Sequence, residues 1–345
     1  MLVGWIAKSK NSKVASVRYR CHTPIRTLNE RGFPVELYED SRRDRYSLVI
    51  FSKVYSPREQ ELALQLKRAG IRTALDLCDN HFYNPFGLPA YTEAAKNLQA
   101  MLGIVDGCIC STQALQDQVL QAVPEAPPIL IVGDAVEELP PRRRRWLPSF
   151  RKKVTTLLWQ GIYGVPNAEC GMLDILTIKD PLSNLGKKYD FELVVLSNNR
   201  ARFKSHIAPL PFRTRYVEWS LQRLRALLSE SAAVLIPVTP NPFTVCKSNN
   251  RLTLPLGYGV PVLADSIPSY SEFSPHVFLD RWDEGLQAIL EQHPIVAEMT
   301  RAGREYVLEN YSDEKLGEQW EKALRSAHFG RPNNLGALSA RGGAQ

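Results

Sequence analysis

The chain has 345 residues, 44% of them hydrophobic, which is enough for two domains that each bury a core. Its six cysteines form no CxxC pair and lie mostly in apolar runs, which argues against both a disulfide framework and a zinc site. No stretch reaches the roughly 18 apolar residues of a membrane span, and the N-terminus lacks the long apolar region of a signal peptide, so we expect a soluble or peripheral protein of the cytoplasm.

Apolar and β-branched runs alternate with helical patterns along the first half of the chain. Strands are predicted at residues 2–7, 34–38, 48–51, 72–77, 107–110 and 129–132. Helices are predicted at residues 57–70, 91–102 and 113–123, and an earlier one is stopped by Gly32. The loop of residues 8–21, after the first strand, is rich in Lys, Ser and Arg. This alternation predicts an open α/β sheet.

Polar residues follow the strand predicted at residues 72–77. Asp76, Asp79 and His81 stand at its carboxyl end, which is where ligands bind in open α/β sheets. One interpretation is a substrate site in which Asp79 or His81 acts as a base. The alternatives are a turn in which Asp79 and Asn80 only bond the backbone, and a metal site made of Asp76, Asp79 and His81.

The net charge of +7 is concentrated in one segment. From Arg142 to Lys153 there are seven basic residues and no acidic one, and the remaining 36 basic residues balance the 36 acidic ones. With its prolines, this composition predicts a linker at residues 139–153. The interleaved Trp146 and Phe150 would also suit an anionic membrane surface. Charge alone would permit nucleic-acid binding, but no recognition motif accompanies it.

The second half of the chain shows the same alternation. Strands are predicted at residues 154–159, 191–196, 213–217, 233–237 and 260–264. Helices are predicted at residues 169–176, 221–228 and 250–257, and in three segments after residue 280. The Gly- and Ala-rich residues 330–345 are predicted to be disordered.

The loop before the helix predicted at residues 250–257 crowds polar residues around a helix start. Ser248 or Asn249 is placed to cap this helix, and Lys247 and Arg251 flank it. Unpaired N–H groups and the positive end of the helix dipole point the same way there, so the neighbouring cations predict an anion site. An ordinary capped helix is the simpler alternative.

Five stretches of the second half resemble the donor domain of GT-B glycosyltransferases, in particular the family-4-like (group 1) enzymes. They are residues 247–264 (KSNNRLTLPLGYGVPVLA), 157–166 (LLWQGIYGVP), 191–199 (FELVVLSNN), 214–220 (TRYVEWS) and 303–324 (GREYVLENYSDEKLGEQWEKAL). The first half is similar only in its alternation of strands and helices. The resemblance implies an α/β protein of GT-B architecture, with two Rossmann-like domains facing a cleft. The acceptor-side domain would occupy residues 1–138 and the donor domain residues 154–329.

The chain departs from the family pattern in its carboxylates and in one loop. The family usually carries a Glu-x7-Glu pair, and the matching positions here are Cys246 and Leu254. Asp265 or Glu272 could supply a carboxylate from elsewhere. The Arg and Lys that the family carries after the first donor-domain strand are also absent, since residues 160–167 hold no cation.

The resemblance implies a glycosyltransferase that moves a sugar from a nucleotide-diphosphate sugar to a glycan or lipid-linked acceptor, with no metal and no permanently bound cofactor. Lys247 would hold the departing diphosphate, and Asp79 and His81 would line the acceptor side. The implied donor-site residues are Gly161, Tyr163, Trp219, Lys247, Ser248, Asn249, Asn250 and Arg251.

Three further interpretations remain open at this point. Trp219 would stack on the nucleobase or pack in the core. Ser16, Arg18 and Arg20 resemble a family loop whose alternate residues meet a phosphate, with a solvated loop as the alternative. The missing carboxylates also permit a GT-B-like protein that binds a nucleotide sugar or glycan without transferring it, or a sugar-nucleotide epimerase.

Overall fold

The computed structural model describes residues 1–9, 11, 14–136 and 154–326. In this part the chain forms two compact units. Unit 1 comprises residues 1–82, residues 87–133 and the chain from Leu316, and unit 2 comprises residues 83–86 and 134–315. The predicted linker at residues 139–153, with its basic segment, and the predicted disordered tail at residues 330–345 lie outside the described residues.

Unit 1 is built on a parallel six-stranded sheet in the order β2-β1-β3-β4-β5-β6. Its central strand β3 is fully buried from Leu48 to Phe51, which explains why the sequence there is a continuous apolar run. The strands are β1 (Leu2–Ala7), β2 (Val35–Leu37), β3 (Tyr46–Ser52), β4 (Arg72–Leu77), β5 (Gly107–Cys110) and β6 (Ile129–Ile131). The helices between them are α1 (Ala15–Val17), α2 (Thr23–Glu30), α3 (Pro57–Arg68), α4 (Pro89–Ile104) and α5 (Gln113–Ala122).

From Ala15 onward the chain after β1 is helical, so Ser16, Arg18 and Arg20 do not lie on the extended loop that was predicted. α1, a five-residue helical turn at Arg18–His22 and α2 follow one another without a break. Alternate residues of a helix do not share a face, so Ser16, Arg18 and Arg20 cannot converge on one phosphate. Arg20 is instead fully buried and pairs with Asp76, whose Oδ1 lies 2.5 Å from Nη2.

Unit 2 is built on a second parallel six-stranded sheet, in the order β12-β11-β10-β7-β8-β9. Apolar clusters bury its central strands, among them Leu158 of β7 and Val234 of β10. The strands are β7 (Thr155–Gln160), β8 (Phe191–Ser197), β9 (Arg213–Glu218), β10 (Ala233–Ile236), β11 (Val262–Ala264) and β12 (Phe278–Leu279). The helices are α6 (Lys179–Gly186), α7 (Arg200–Arg202), α8 (Leu221–Glu230), α9 (Asn250–Gly257), α10 (Trp282–Leu290) and α11 (Pro294–Asn310).

The helix predicted at residues 169–176 is wrong at its start. A helical turn at Met172–Ile178 begins only after Gly171, whose φ of +100° is not helical and favours glycine. A Cβ on Gly171 would lie 2.3 Å from the Tyr163 carbonyl oxygen, which accepts a hydrogen bond from the Met172 N–H at 2.9 Å. The loop after β7 is therefore closed tightly against Gly171.

The last helix, α12 (Asp313–Arg325), belongs to unit 1 from Leu316 onward. Trp320 is fully buried, and its ring meets the ring of Trp5 edge-on with 5.0 Å between centroids. The Arg20 guanidinium lies 5.0 Å from the centre of the Trp320 ring. Among all helices of the described ranges, none has the length and apolarity needed to cross a membrane.

Candidate functional site

The start of α9 is organised around a buried carboxylate. Ser248 Oγ donates a hydrogen bond to Asp134 at 2.6 Å, and Asn250 Nδ2 donates to the same oxygen at 3.4 Å. Asp134 is 4% exposed, so its carboxylate depends on such donors. Asn249 occupies the N-cap position, but its side chain accepts no capping hydrogen bond. Asn249 is thus one of the two predicted cap residues, but its side chain instead donates from Nδ2 to Glu272 at 3.5 Å.

Arg251, in the first turn of α9, extends to the end of β7. Its Nη2 donates to the Gln160 carbonyl oxygen at 2.8 Å, and its guanidinium carbon lies 5.5 Å from the centre of the Trp159 ring. Among the residues that the structure describes, no carboxylate forms an ion pair with it. A Cβ on Gly161 would lie 3.6 Å from Nη2. The structure thus brings Arg251 and Gly161 together.

Lys247 lies in the loop just before α9. Its Nζ is 3.7 Å from the centre of the Phe243 ring, and its carbonyl oxygen accepts from Ser269 Oγ at 2.7 Å. Burial raises the pKa of the Cys170 thiol, and the charges of Lys247 and Arg251 both oppose that rise. Both cations therefore act on the electrostatic surroundings of Cys170, which follows the loop after β7.

The loop after β7 is fastened to the end of β8. The Gly161 N–H donates to the Leu196 carbonyl oxygen at 3.1 Å, and Ser197 Oγ donates to the Gly161 carbonyl oxygen at 2.8 Å. The Tyr163 N–H donates to Asn198 Oδ1 at 3.0 Å. These bonds fix the conformation of the loop at both Gly161 and Tyr163.

Trp219 follows β9 at the same end of the sheet. Its backbone N–H donates to the Ser197 carbonyl oxygen at 2.8 Å, and its half-buried ring packs against an apolar core cluster of unit 2. Part of the ring therefore serves the core. Stacking of its remaining surface on a nucleobase stays a prediction.

Neither family carboxylate position can bind a ligand. Cys246 is 0% exposed and Leu254 is 6% exposed, so both side chains belong to the core. Asp265 accepts hydrogen bonds from the Val238 N–H at 2.8 Å and from Trp282 Nε1 at 2.7 Å. Burial raises the pKa of Asp265, and these donors offset part of that rise. Asp265 thus supports the structure rather than a ligand.

Glu272 is the carboxylate that reaches the start of α9. Its Oε2 accepts from the Tyr306 hydroxyl at 2.7 Å, and its Oε1 accepts from the Tyr311 hydroxyl as well as from Asn249. The hydrogen bond to Glu272 raises the pKa of Tyr306 to about 12. Both phenols therefore remain donors at neutral pH, and they hold Glu272 beside Asn249.

In unit 1, four side chains gather where β3 and β4 end. Lys53 forms an ion pair with Asp79, and both side chains are about five-sixths buried, at 16% and 17% exposure. The Tyr55 hydroxyl hydrogen-bonds His81 Nδ1 at 2.7 Å, and His81 Nε2 lies 3.9 Å from Asp79 Oδ2. Burial raises the pKa of Tyr55 to about 12, so it stays protonated. The structure thus brings Asp79 and His81 together.

The sequence analysis missed Lys53 and Tyr55. A signal was present, because both residues follow β3 as Asp79 and His81 follow β4, and adjacent parallel strands end at one edge of a sheet. Lys53 has a φ of +56°, which is unusual for a residue other than glycine and often marks a functional site.

Asp76 does not join this group, because its carboxylate is occupied by other side chains. Arg20 binds both of its oxygens, and Ser52 Oγ donates to it at 2.9 Å. The metal site of Asp76, Asp79 and His81 is therefore not formed. Within the described ranges, no three His, Cys, Asp or Glu side chains are arranged to hold a metal ion.

Replacing Lys53 with methionine is expected to lower the free energy of unfolding by about 2 kcal/mol, because the poorly solvated carboxylate of Asp79 would lose its lysine counter-ion. Burial lowers the pKa of Lys53, but the neighbouring groups, Asp79 among them, raise it further, so the net pKa lies above the ordinary value of 10.5. The loss should therefore stay constant from neutral pH to about pH 10 and shrink only above it. Urea denaturation at several pH values measures it, with the exposed Lys96→Met as control. Unchanged stability of Lys53→Met at neutral pH would contradict the ion pair.

Comparison with known proteins gives a structural likeness without a sequence match. No protein-family profile matches the chain, and no curated protein matches it. HepE from Anabaena, solved in complex with UDP-glucose, is 13% identical with a TM-score of 0.63, over 94% of this chain and 99% of its own. WaaG, described as a glycosyltransferase involved in lipopolysaccharide biosynthesis, is 15% identical with a TM-score of 0.63, over 93% and 99%. The chain has the GT-B fold.

A third neighbour, TarM, is longer. It is 16% identical with a TM-score of 0.59 over 81% of this chain, and the chain spans about half of its length, 55%. The structural similarity to these proteins establishes the GT-B fold with its two α/β units, as the sequence predicted. At these low identities, the similarity does not assign a role to any single residue.

Proposed function

We propose that the protein is a glycosyltransferase that moves a sugar from a nucleotide-diphosphate sugar to a glycan or lipid-linked acceptor. The observation that carries this proposal is Arg251, which is bonded to the Gln160 carbonyl oxygen beside Gly161 at the end of β7, while Lys247 lies just before the same helix. HepE, which has the same fold, was solved with UDP-glucose bound. A nucleotide diphosphate is the ligand chemistry that this site suits best.

The reaction explains why the two cations matter. Glycosyl transfer builds negative charge on the departing diphosphate, and a protein accelerates it with donors that are already in place. Arg251 is held by the Gln160 carbonyl oxygen and by the face of Trp159, so its side chain loses little conformational entropy when a ligand binds. Lys247 supplies the second positive charge.

Asp134 limits which groups at the start of α9 can bind the diphosphate. A carboxylate that accepts from Ser248 and Asn250 would repel a phosphate placed against those side chains. We therefore assign to residues 248–250 only their backbone N–H groups, and we place the diphosphate on the side of Lys247 and Arg251.

Asp79 and His81 are proposed to contact the acceptor or the transferred sugar. Lys53 forms an ion pair with Asp79, and Tyr55 hydrogen-bonds His81 Nδ1. Such donor and acceptor groups suit sugar hydroxyls. The basic segment from Arg142 to Lys153 would suit a lipid-linked acceptor at an anionic surface, and that role stays a prediction.

Calorimetric titration with UDP-glucose, GDP-glucose and ADP-glucose tests the donor assignment. We expect one nucleotide to bind, with its free diphosphate competing for the same site. A protein that binds none of the three sugars and none of the three free diphosphates would not be a nucleotide-sugar transferase of this kind.

A further inference from the structure

The loop after β7 lacks the positive charge that a diphosphate site needs. Residues 160–167 contain no Lys or Arg, although Gly161 and Tyr163 of this loop are part of the proposed site. Arg251 reaches the loop from α9 and supplies one charge.

Arg202 reaches the same loop from the end of β8. It belongs to α7, and its N–H donates to Asn199 Oδ1 at 3.0 Å, which fixes its place after the strand. Its guanidinium carbon lies 5.0 Å from the centre of the Tyr163 ring. The side chain is exposed, and it makes no ion pair with any residue that the structure describes.

The half-buried Tyr163 ring packs against an apolar core cluster of unit 2 and forms a platform for this arginine. The Tyr163 N–H is bound by Asn198, and its carbonyl oxygen is bound by the Met172 N–H. A guanidinium stacked on an aromatic face keeps the N–H groups at its edge available, and this planar edge matches phosphate oxygens. The ring therefore holds the charge at the loop without neutralising it.

Arg200, two residues earlier, has a different environment. Its guanidinium carbon lies 5.2 Å from the centre of the Tyr216 ring. The Tyr216 hydroxyl donates to the Glu218 carboxylate at 2.8 Å, so a negative charge accompanies that ring. Arg200 thus shares the α7 segment and the stacking mode of Arg202, but it contacts β9 instead of the loop after β7.

We propose that Arg202 is a diphosphate-binding residue of the donor site, held on Tyr163 and replacing a cation that the loop after β7 lacks. The inference rests on the proposed function. In the completed site, Lys247 and Arg251 act from the α9 side, and Arg202 acts from the β8 side.

Calorimetry on Arg202→Gln and on the matched control Arg200→Gln tests this assignment. The ligands are the nucleoside diphosphate that the wild type binds, chosen among UDP, GDP and ADP, and its monophosphate. We expect Arg202→Gln to weaken diphosphate binding about tenfold, as for the loss of one charge-assisted contact. Monophosphate binding should weaken less, and Arg200→Gln should bind both as the wild type does.

The outcomes separate this inference from the proposed function. Diphosphate binding that is equal in Arg202→Gln, Arg200→Gln and wild type would overturn the role of Arg202 and leave the transferase standing. An equal loss of diphosphate and monophosphate binding in Arg202→Gln would also overturn it, because the arginine would then only support the loop. Wild-type protein that binds no nucleotide would overturn both.

Discussion

Replacing Asp76 with asparagine is expected to lower the free energy of unfolding by about 3–5 kcal/mol, because it removes the carboxylate that forms a buried ion pair with Arg20. Both side chains are 0% exposed. Arg20 also donates to the carbonyl oxygens of Val132 at 2.6 Å and Gly133 at 3.0 Å. Since its guanidinium lies on the Trp320 ring, urea denaturation followed by tryptophan fluorescence measures the effect.

Two further variants test that explanation. Glu321→Gln removes a carboxylate from an ion pair with Arg31 at the surface and should leave the unfolding midpoint nearly unchanged. Adding Arg20→Met to Asp76→Asn removes the unpaired charge and should recover part of the lost stability. An Asp76→Asn protein as stable as the wild type would show that this pair does not hold unit 1 together.

Replacing Lys247 with alanine is expected to weaken binding of the donor nucleotide by about tenfold to a hundredfold, because a charge-assisted contact to the diphosphate is lost. Its Nζ lies over the face of Phe243, 3.7 Å from the ring centre. Calorimetry measures the dissociation constant.

The matched control for this prediction is Lys187→Ala, which removes an exposed lysine of unit 2 that donates to Asn184 at 3.3 Å. It should bind the nucleotide as the wild type does. Equal affinity of Lys247→Ala and wild type would remove Lys247 from the proposed site, whichever nucleotide binds.

The sequence was informative wherever the physical signal was local. Continuous apolar runs located the buried parallel strands, because a strand covered on both faces needs no polar alternation. The strand–loop–helix–strand order around α9 followed from the same reasoning. From this order, Lys247 in the polar loop and Arg251 in the first turn of α9 were predicted to lie at one end of the sheet.

The sequence was uninformative where a partner lies far along the chain. Asp134 is 114 residues from Ser248, and Arg20 is 56 residues from Asp76, so no local sequence pattern predicts either contact. The Arg- and Ser-bearing residues 16–20 were interpreted either as a phosphate site or as a solvated loop, but they are helical and Arg20 is buried against Asp76. Arg202 was missed for the same reason, since only the fold places it over Tyr163.

The measurement that tests the central claim most directly is the release of nucleoside diphosphate from UDP-, GDP- and ADP-glucose by the purified protein, with and without glycan acceptors. We predict release from one of the three sugars, with Lys247→Ala strongly reducing the rate and Lys187→Ala leaving it unchanged. Saturable binding of a nucleotide sugar with no release under any acceptor condition would contradict the transferase and indicate a protein that only binds its ligand.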